Sequence, residues 1–234
     1  MSEWKQKRFW REVSVTQSDL GYEVRLDGRA VKTPAKSPLV LPTRALADHI
    51  AAEWDAQVET VDPTTMPATR AANSALDKVT AQRAEVADML ADYGDSDLLC
   101  YRADAPRELA DRQAAAWDPV LDWAAETLGA RLQPRTGVMH APQDPQALKT
   151  LSDHVHAMDV FRLAAFHDLV GISGSLILGF AAAQGWRDAD TIWSLSRVDE
   201  LWQEEQWGPD EEAQATADFK RAEFLNAKKF YDLA

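Results

Sequence analysis

The chain has 234 residues, of which 46% are hydrophobic, and a formal net charge of −13 at pH 7. That length allows one large or two small domains with real cores. The negative charge argues against nucleic acid or an anionic membrane as partner, because binding to both depends on Lys and Arg. The single cysteine, Cys100, excludes an intramolecular disulfide and a cysteine-built zinc site.

The charge is distributed unevenly along the chain. Residues 1–44 carry a net charge of +4 and the remaining residues carry −17, so the two ends are suited either to attract each other or to bind different partners. The longest uncharged run, Leu169 to Trp186, is interrupted by four glycines. This favours a buried core helix over a membrane span, and no membrane insertion is predicted.

The first part of the chain has the two-residue hydrophobic period of β-strands, from residue 9 to residue 42. The Asp27-Gly28 pair within it is typical of a tight hairpin turn. Thr43 then suits the N-cap of a helix whose apolar residues recur every four positions: Leu46, Ile50 and Trp54. We predict a small antiparallel sheet covered by this helix, with Trp54 as a core anchor, in an N-terminal domain of residues 1–75.

Beyond the connector DPTTMP at residues 62–67, helical periodicity runs through almost the whole chain. The predicted helices span residues 68–79, 81–93, 106–117, 119–128, 145–158, 160–170, 174–184, 188–206 and 209–234. Residues 135–144 form the longest predicted loop. The predicted fold class is therefore α+β, with a larger all-helical C-terminal domain of residues 76–234.

The stretch from Val198 to Phe219, which we name the acidic stretch, holds eight acidic residues and no basic one. Trp202 and Trp207 lie within it, so it combines large apolar side chains with concentrated negative charge. This combination favours a partner-binding surface over a simple solvated face.

A helix end and a helix start meet in the acidic stretch at Gly208-Pro209, which predicts a short elbow. Asp210, Glu211 and Glu212 then fall in a first helical turn, where the macrodipole favours negative charge without any further role. Glu212 differs from the other two in its spacing, because steps of three and four residues connect it to Phe219. We therefore expect Glu212 on the more apolar face of this helix, where a carboxylate needs a partner or a function.

The sequence lacks several common catalytic and ligand-binding motifs. There is no G-x-x-x-x-G-K-[ST] loop, so nucleotide hydrolysis by a P-loop is excluded, and there is no G-x-S-x-G elbow. His154 and His156 are two positions apart, which places them on different faces of a helix and disfavours a metal site. We predict no catalytic residue, no cofactor, no metal and no nucleotide.

Six segments of the sequence resemble the ATP synthase assembly chaperones that attend the alpha subunit of the catalytic head, the "ATP twelve" family. These segments are LDGRAVKTPAKSPLVLPT (26–43), EWDAQ (53–57), DLLCYRA (97–103), WDPVLDW (117–123), GSLILG (174–179) and WGPDEEA (207–213). The resemblance implies a two-domain protein that binds the free alpha subunit and prevents its aggregation until the beta subunit joins. It also implies that the family's functionally important glutamate corresponds to Glu212.

From the acidic stretch and this resemblance we predict five partner-binding residues: Trp202, Glu205, Trp207, Asp210 and Glu212. The alternative from another class is an enzyme of unknown reaction with an acidic cleft at the domain junction. Eukaryotic members of the family act in the mitochondrial matrix, whereas the N-terminal segment here has no apolar core or transit-peptide composition. We therefore expect a bacterial, cytoplasmic protein.

Overall fold

The computed structural model describes residues 7–234, so the prediction about a targeting segment falls partly outside the described residues. Two compact units are present. The first contains the described residues up to Arg83 together with Asp159–Ala165 and Lys229–Ala234, and the second contains Ala84–Met158 and Phe166–Lys228. The limits 1–75 and 76–234 stay a prediction, because compact packing units need not be independently folding domains.

A small antiparallel sheet forms the basis of the first unit. Its strands are β1 (Val13–Ser18), β2 (Gly21–Leu26), β3 (Arg29–Ala30) and β4 (Val40–Leu41). Strand β2 pairs with each of the other three. Asp27 and Gly28 have φ angles of 47° and 76°, so the turn from β2 to β3 has the left-handed backbone that the Asp-Gly pair predicts.

Helix α1 (Arg44–Asp55) packs on β1 and β2. Thr43 is its N-cap, accepting a hydrogen bond of 3.1 Å from the Leu46 amide, and Leu46 and Ile50 are fully buried. Trp54 is half-buried, and its ring lies edge-on to Trp10 with the ring centroids 5.3 Å apart. The predicted α+β class, with a helix covering a small sheet, is confirmed.

Side chains of the EWDAQ segment form hydrogen bonds to the connector that follows α1 and to the start of the next helix. The Glu53 carboxylate accepts hydrogen bonds from the Ala68 amide (2.7 Å), the Thr69 amide (2.8 Å) and the Thr69 hydroxyl (2.7 Å). These donors lie in the first turn of α2 (Pro67–Ser74), whose N-terminus the carboxylate therefore caps. The side-chain oxygen of Gln57 also accepts a 2.7 Å hydrogen bond from the Asp62 backbone amide. The Glu53 and Gln57 side chains of this segment therefore stabilise the fold through internal hydrogen bonds.

Helices account for most of the rest of the described chain. After α2 they are α3 (Arg83–Asp92), α4 (Arg107–Thr127), α5 (Pro145–His156), α6 (Val160–Ser173), α7 (Leu176–Ala183), α8 (Ala189–Leu195), α9 (Val198–Trp207) and α10 (Glu211–Leu233). The loop predicted at residues 135–144 includes β6 (Arg135–Thr136), which pairs in parallel with β5 (Tyr101–Arg102). None of the described helices combines the length and hydropathy needed to cross a membrane.

The prediction of two separate helices at residues 106–117 and 119–128 is wrong, because α4 continues through Pro119. A proline inside a helix removes one backbone donor and crowds the preceding turn. Trp117, Val120 and Leu121 are nevertheless buried around it. Burial of these side chains offsets the local cost and keeps the helix continuous.

Asp97 links two of the sequence segments inside the second unit. Its carboxylate is fully buried and accepts hydrogen bonds from the Leu99 amide (3.0 Å), the Ser175 hydroxyl (2.8 Å) and the Ile177 amide (3.0 Å). Burial raises the pKa of Asp97 to about 6, although these hydrogen bonds act in the opposite direction. Burial also raises the pKa of the Cys100 thiol to about 12, which makes a reactive thiolate unfavourable.

Candidate functional site

The acidic stretch begins at a break between α8 and α9, and the prediction of one helix over residues 188–206 is wrong. A continuous helix would use the carbonyls of Trp193 and Leu195 as acceptors for amides four residues later. The Trp193 carbonyl instead accepts from the Ser196 hydroxyl (2.7 Å), and the Leu195 carbonyl accepts from the Trp117 indole (2.8 Å). These competing donors end α8 before α9 begins.

The elbow predicted after α9 is confirmed. Gly208 follows the last residue of α9 with a φ of 88°, a left-handed conformation that glycine adopts without steric cost. Asp210 then accepts a hydrogen bond of 2.8 Å from the Ala213 amide. Asp210 therefore has a capping role at the start of α10, as acidic residues commonly do at helix N-termini.

A groove of about 590 Å³, which we name the elbow groove, lies between α9 and the first half of α10. Residues of α9 at steps of four and three line one side, and residues of α10 at steps of four line the other. The charged and aromatic lining residues are Arg197, Glu200, Glu204, Trp207, Asp210, Glu212 and Lys220. Arg197 pairs with Glu204 at 3.0 Å, which leaves an excess of negative charge in the groove.

Glu212 is exposed, so the expectation that it lies on the apolar face of α10 is wrong. The buried residues of this helix are Ala217, Phe224, Ala227 and Phe230, whereas Phe219 is 67% exposed. The sequence spacing predicts that Phe219 is buried and that Glu212 lies on the same face. Because Phe219 is exposed, the predicted face is not the one that packs against the core. Among the described residues, no hydrogen bond or ion pair engages the Glu212 carboxylate, which lines the elbow groove instead.

Trp202 and Glu205 lie on the other side of α9, where both contact Arg112 of α4. The Arg112 guanidinium forms two hydrogen bonds of 2.7 Å to the Glu205 carboxylate, and its Cζ atom lies 5.7 Å from the centre of the Trp202 ring. This paired hydrogen bonding lowers the pKa of Glu205 and raises that of Arg112. Asp199 also accepts a 2.7 Å bond from Gln113 of α4. These contacts hold α9 against α4.

The structure therefore divides the five predicted residues into two groups. Trp207, which is 80% exposed, lines the elbow groove together with Asp210 and Glu212, while Trp202 and Glu205 contact α4. The sequence prediction missed Glu200 and Lys220, which also line the groove. Helical spacing offered a signal for both, because Lys220 lies eight positions after Glu212 and Glu200 lies seven before Trp207.

Comparison with known proteins identifies the family. The family model described as ATP12 chaperone protein matches residues 7–125. The chain belongs to the ATP12 chaperone family. A crystal structure of Atp12 from Paracoccus denitrificans is similar to this chain, with 51% sequence identity, a TM-score of 0.96 and coverage of 99% of both chains. A protein of Agrobacterium tumefaciens is 41% identical, with a TM-score of 0.92 and coverage of 97% of this chain and 85% of that one.

A more distant relative of this ATP12 family protein is a mitochondrial one. Protein atp12 of Schizosaccharomyces pombe is 25% identical over 219 residues, which cover 88% of this chain and 75% of that protein. The resemblance to this family and the chaperone class that it implies are confirmed. No group of three or more His, Cys, Asp or Glu residues in the described chain is arranged to hold a metal ion.

Proposed function

We propose that this ATP12 family member is an assembly chaperone for the F-type ATP synthase. It binds the unassembled alpha subunit of the catalytic head and prevents its aggregation until the beta subunit joins. An unassembled ring subunit exposes a large, partly apolar interface that is prone to aggregate. Family membership and the resemblance of the six sequence segments support this function, and we place its action in the bacterial cytoplasm.

The elbow groove is the proposed contact site, and the observation that carries this assignment is that it is lined both by the exposed Trp207 indole and by the Glu212 carboxylate, for which residues 7–234 provide no hydrogen-bond or ion-pair partner. Aromatic residues with a nearby charge are typical of the few interface positions that contribute most binding energy. The excess negative charge of the groove fits an Arg or Lys side chain of the alpha subunit. Trp207, Asp210 and Glu212 contact the partner, while Trp202 and Glu205 orient α9 through Arg112.

Replacement of Glu212 by Gln tests this assignment. If Glu212 forms a charge-assisted bond to the partner, Glu212→Gln should weaken binding of purified free alpha subunit by about 2 to 5 kcal/mol. The melting temperature should change little, because an exposed first-turn carboxylate contributes only about 0.3 to 1 kcal/mol to folding. The measurements are calorimetric affinity, suppression of alpha-subunit aggregation and thermal unfolding.

Glu211→Gln is the matched control, because Glu211 is an exposed glutamate in the same helical turn but does not line the groove. Both variants change the macrodipole interaction similarly, so they should differ in affinity and not in stability. Equal affinities of the two variants for the alpha subunit would remove Glu212 from the contact site. Failure of the wild-type protein to bind the alpha subunit would overturn the proposed function itself.

A further inference from the structure

Apolar surface and negative charge coincide in the elbow groove. More of its exposed surface is apolar than polar, and the apolar lining residues include Trp207, Ala213 and Ala217. Arg197 and Glu204 neutralise each other across a 3.0 Å ion pair. The other charged lining residues of the described chain are three carboxylates and one cation: Glu200, Asp210, Glu212 and Lys220. The groove therefore suits a client segment that is both apolar and basic.

Phe219 extends this surface along α10. It follows Glu212 by seven residues, which is almost two full helical turns, so the two side chains leave the helix within about 20° of each other. Thr216, which lines the groove, lies between them at steps of four and three residues. Phe219 therefore lies at the rim of the elbow groove, about 10 Å along the helix axis from Glu212.

The groove is thus bordered by two exposed aromatic side chains. Trp207 is 80% exposed at the end of α9, and Phe219 is 67% exposed in α10. At this level of exposure the core gains little from either ring, so folding stability does not explain them. A single exposed apolar residue is ordinary, but two large aromatic residues beside one negatively charged groove are typical of a binding surface.

The walls of the groove determine the secondary structure of the segment that fits it. Both walls are helices, α9 and α10, and along their length the backbone amides and carbonyls are hydrogen-bonded within the helices. An extended segment would find no backbone partners on such walls, and its own covered backbone groups would be costly. A helical segment satisfies its own backbone groups and packs its side chains between those of the two wall helices.

We propose that the elbow groove binds an amphipathic helix of the alpha subunit, with the apolar stripe of that helix against Trp207 and Phe219. Its apolar side chains recur at steps of three and four residues, and Arg or Lys residues on an adjacent face meet the carboxylates of the groove. This inference rests on the proposed function. It adds the secondary structure and the chemistry of the client segment, and it adds Phe219 to the contact residues.

Photo-crosslinking tests the chemistry of the segment. A variant with benzoylphenylalanine in place of Phe219 is irradiated with purified free alpha subunit, and the cross-linked peptide is identified by mass spectrometry. We expect a peptide with apolar residues at helical spacing and with Arg or Lys residues beside them. Benzoylphenylalanine in place of Gln214 is the control, because Gln214 is exposed on the opposite side of α10 from Glu212 and does not line the groove.

Two cross-linking results would overturn the inference. One is an acidic peptide, or one whose apolar residues follow the two-residue period of a strand. The other is cross-linking from position 219 that is no stronger than from position 214.

Substitution of Phe219 tests its contribution to binding. Phe219→Ala should weaken alpha-subunit binding roughly tenfold, while the melting temperature stays close to that of the wild type because the ring is exposed. Phe219→Leu keeps a large apolar side chain and should bind within about threefold of the wild type. Val138→Ala is the control, since Val138 is 88% exposed and does not line the groove, and its affinity should be unchanged.

Wild-type affinity of Phe219→Ala, or an equal loss of affinity in Val138→Ala, would overturn the inference. Either result would leave the proposed function intact if the wild-type protein still binds the alpha subunit.

Discussion

The hydrogen bonds of Glu53 predict that this residue is a major determinant of folding stability. Its carboxylate caps the first turn of α2 with three hydrogen bonds of 2.7 to 2.8 Å, and the residue is only 9% exposed. Glu53→Ala would leave two buried backbone N–H groups and one hydroxyl without an acceptor. Each unsatisfied buried donor costs about 1 to 3 kcal/mol, and local relaxation returns part of that cost. We expect Glu53→Ala to lower the free energy of unfolding by about 3 to 5 kcal/mol.

Glu53→Gln should be less damaging, because one side-chain oxygen remains as an acceptor while the charge is lost. Hydrogen bonds to charged groups contribute about 1.5 to 3 kcal/mol against about 1 for neutral ones, so we expect a loss of about 1 to 3 kcal/mol. Urea denaturation followed by tryptophan fluorescence measures both values, and an unchanged m value would show that the midpoint shift reports stability.

Asp55→Ala is the control for this series. Asp55 belongs to the same helix, but its carboxylate is 66% exposed and its pairing with Arg8 at 3.3 Å is a surface contact. Such contacts are worth about 0 to 1 kcal/mol, so this variant should remain close to the wild type. If Glu53→Ala were as stable as Asp55→Ala, the interpretation of Glu53 as a buried helix cap would be refuted.

Three further predictions concern pH, the core and nucleotide binding. Burial raises the pKa of Asp97 from 3.8 to about 6, so protonation of this carboxylate stabilises the folded state. The stabilisation is fully present below pH 3.8 and is lost as the pH rises through 6. The stability of the wild type relative to Asp97→Asn should therefore rise by about 1 kcal/mol from pH 7 to pH 5, and parallel curves in urea denaturation would contradict this. Trp54→Ala should cost about 2 to 3 kcal/mol, below the range for a fully buried Trp because the side chain is half-buried; unchanged thermal stability with lost alpha-subunit binding would place Trp54 on the partner surface. The protein should neither bind nor hydrolyse ATP, and a micromolar affinity in calorimetry would refute this.

Local patterns in the sequence were sufficient to predict much of the fold. The two-residue period and the Asp27-Gly28 pair predicted the antiparallel sheet, and Thr43 predicted the start of α1. Gly208 predicted the elbow, because the left-handed conformation at a helix end depends on which residue occupies that position, and glycine adopts it readily. The acidic and tryptophan residues clustered in the acidic stretch likewise identified the segment that forms the elbow groove. These features arise from interactions between residues close together in the chain.

Tertiary contacts decided the features that the sequence patterns did not predict. The break between α8 and α9 depends on a hydrogen bond from Trp117, 78 positions from its acceptor Leu195, and the continuity of α4 through Pro119 depends on burial. Helical period alone predicted the wrong buried face for α10, because it placed Phe219 in the core. Packing buries Phe224 completely and leaves Phe219 exposed, which turns Glu212 into the groove. A helix has a regular period in sequence, but the neighbours that it packs against determine which of its faces is buried.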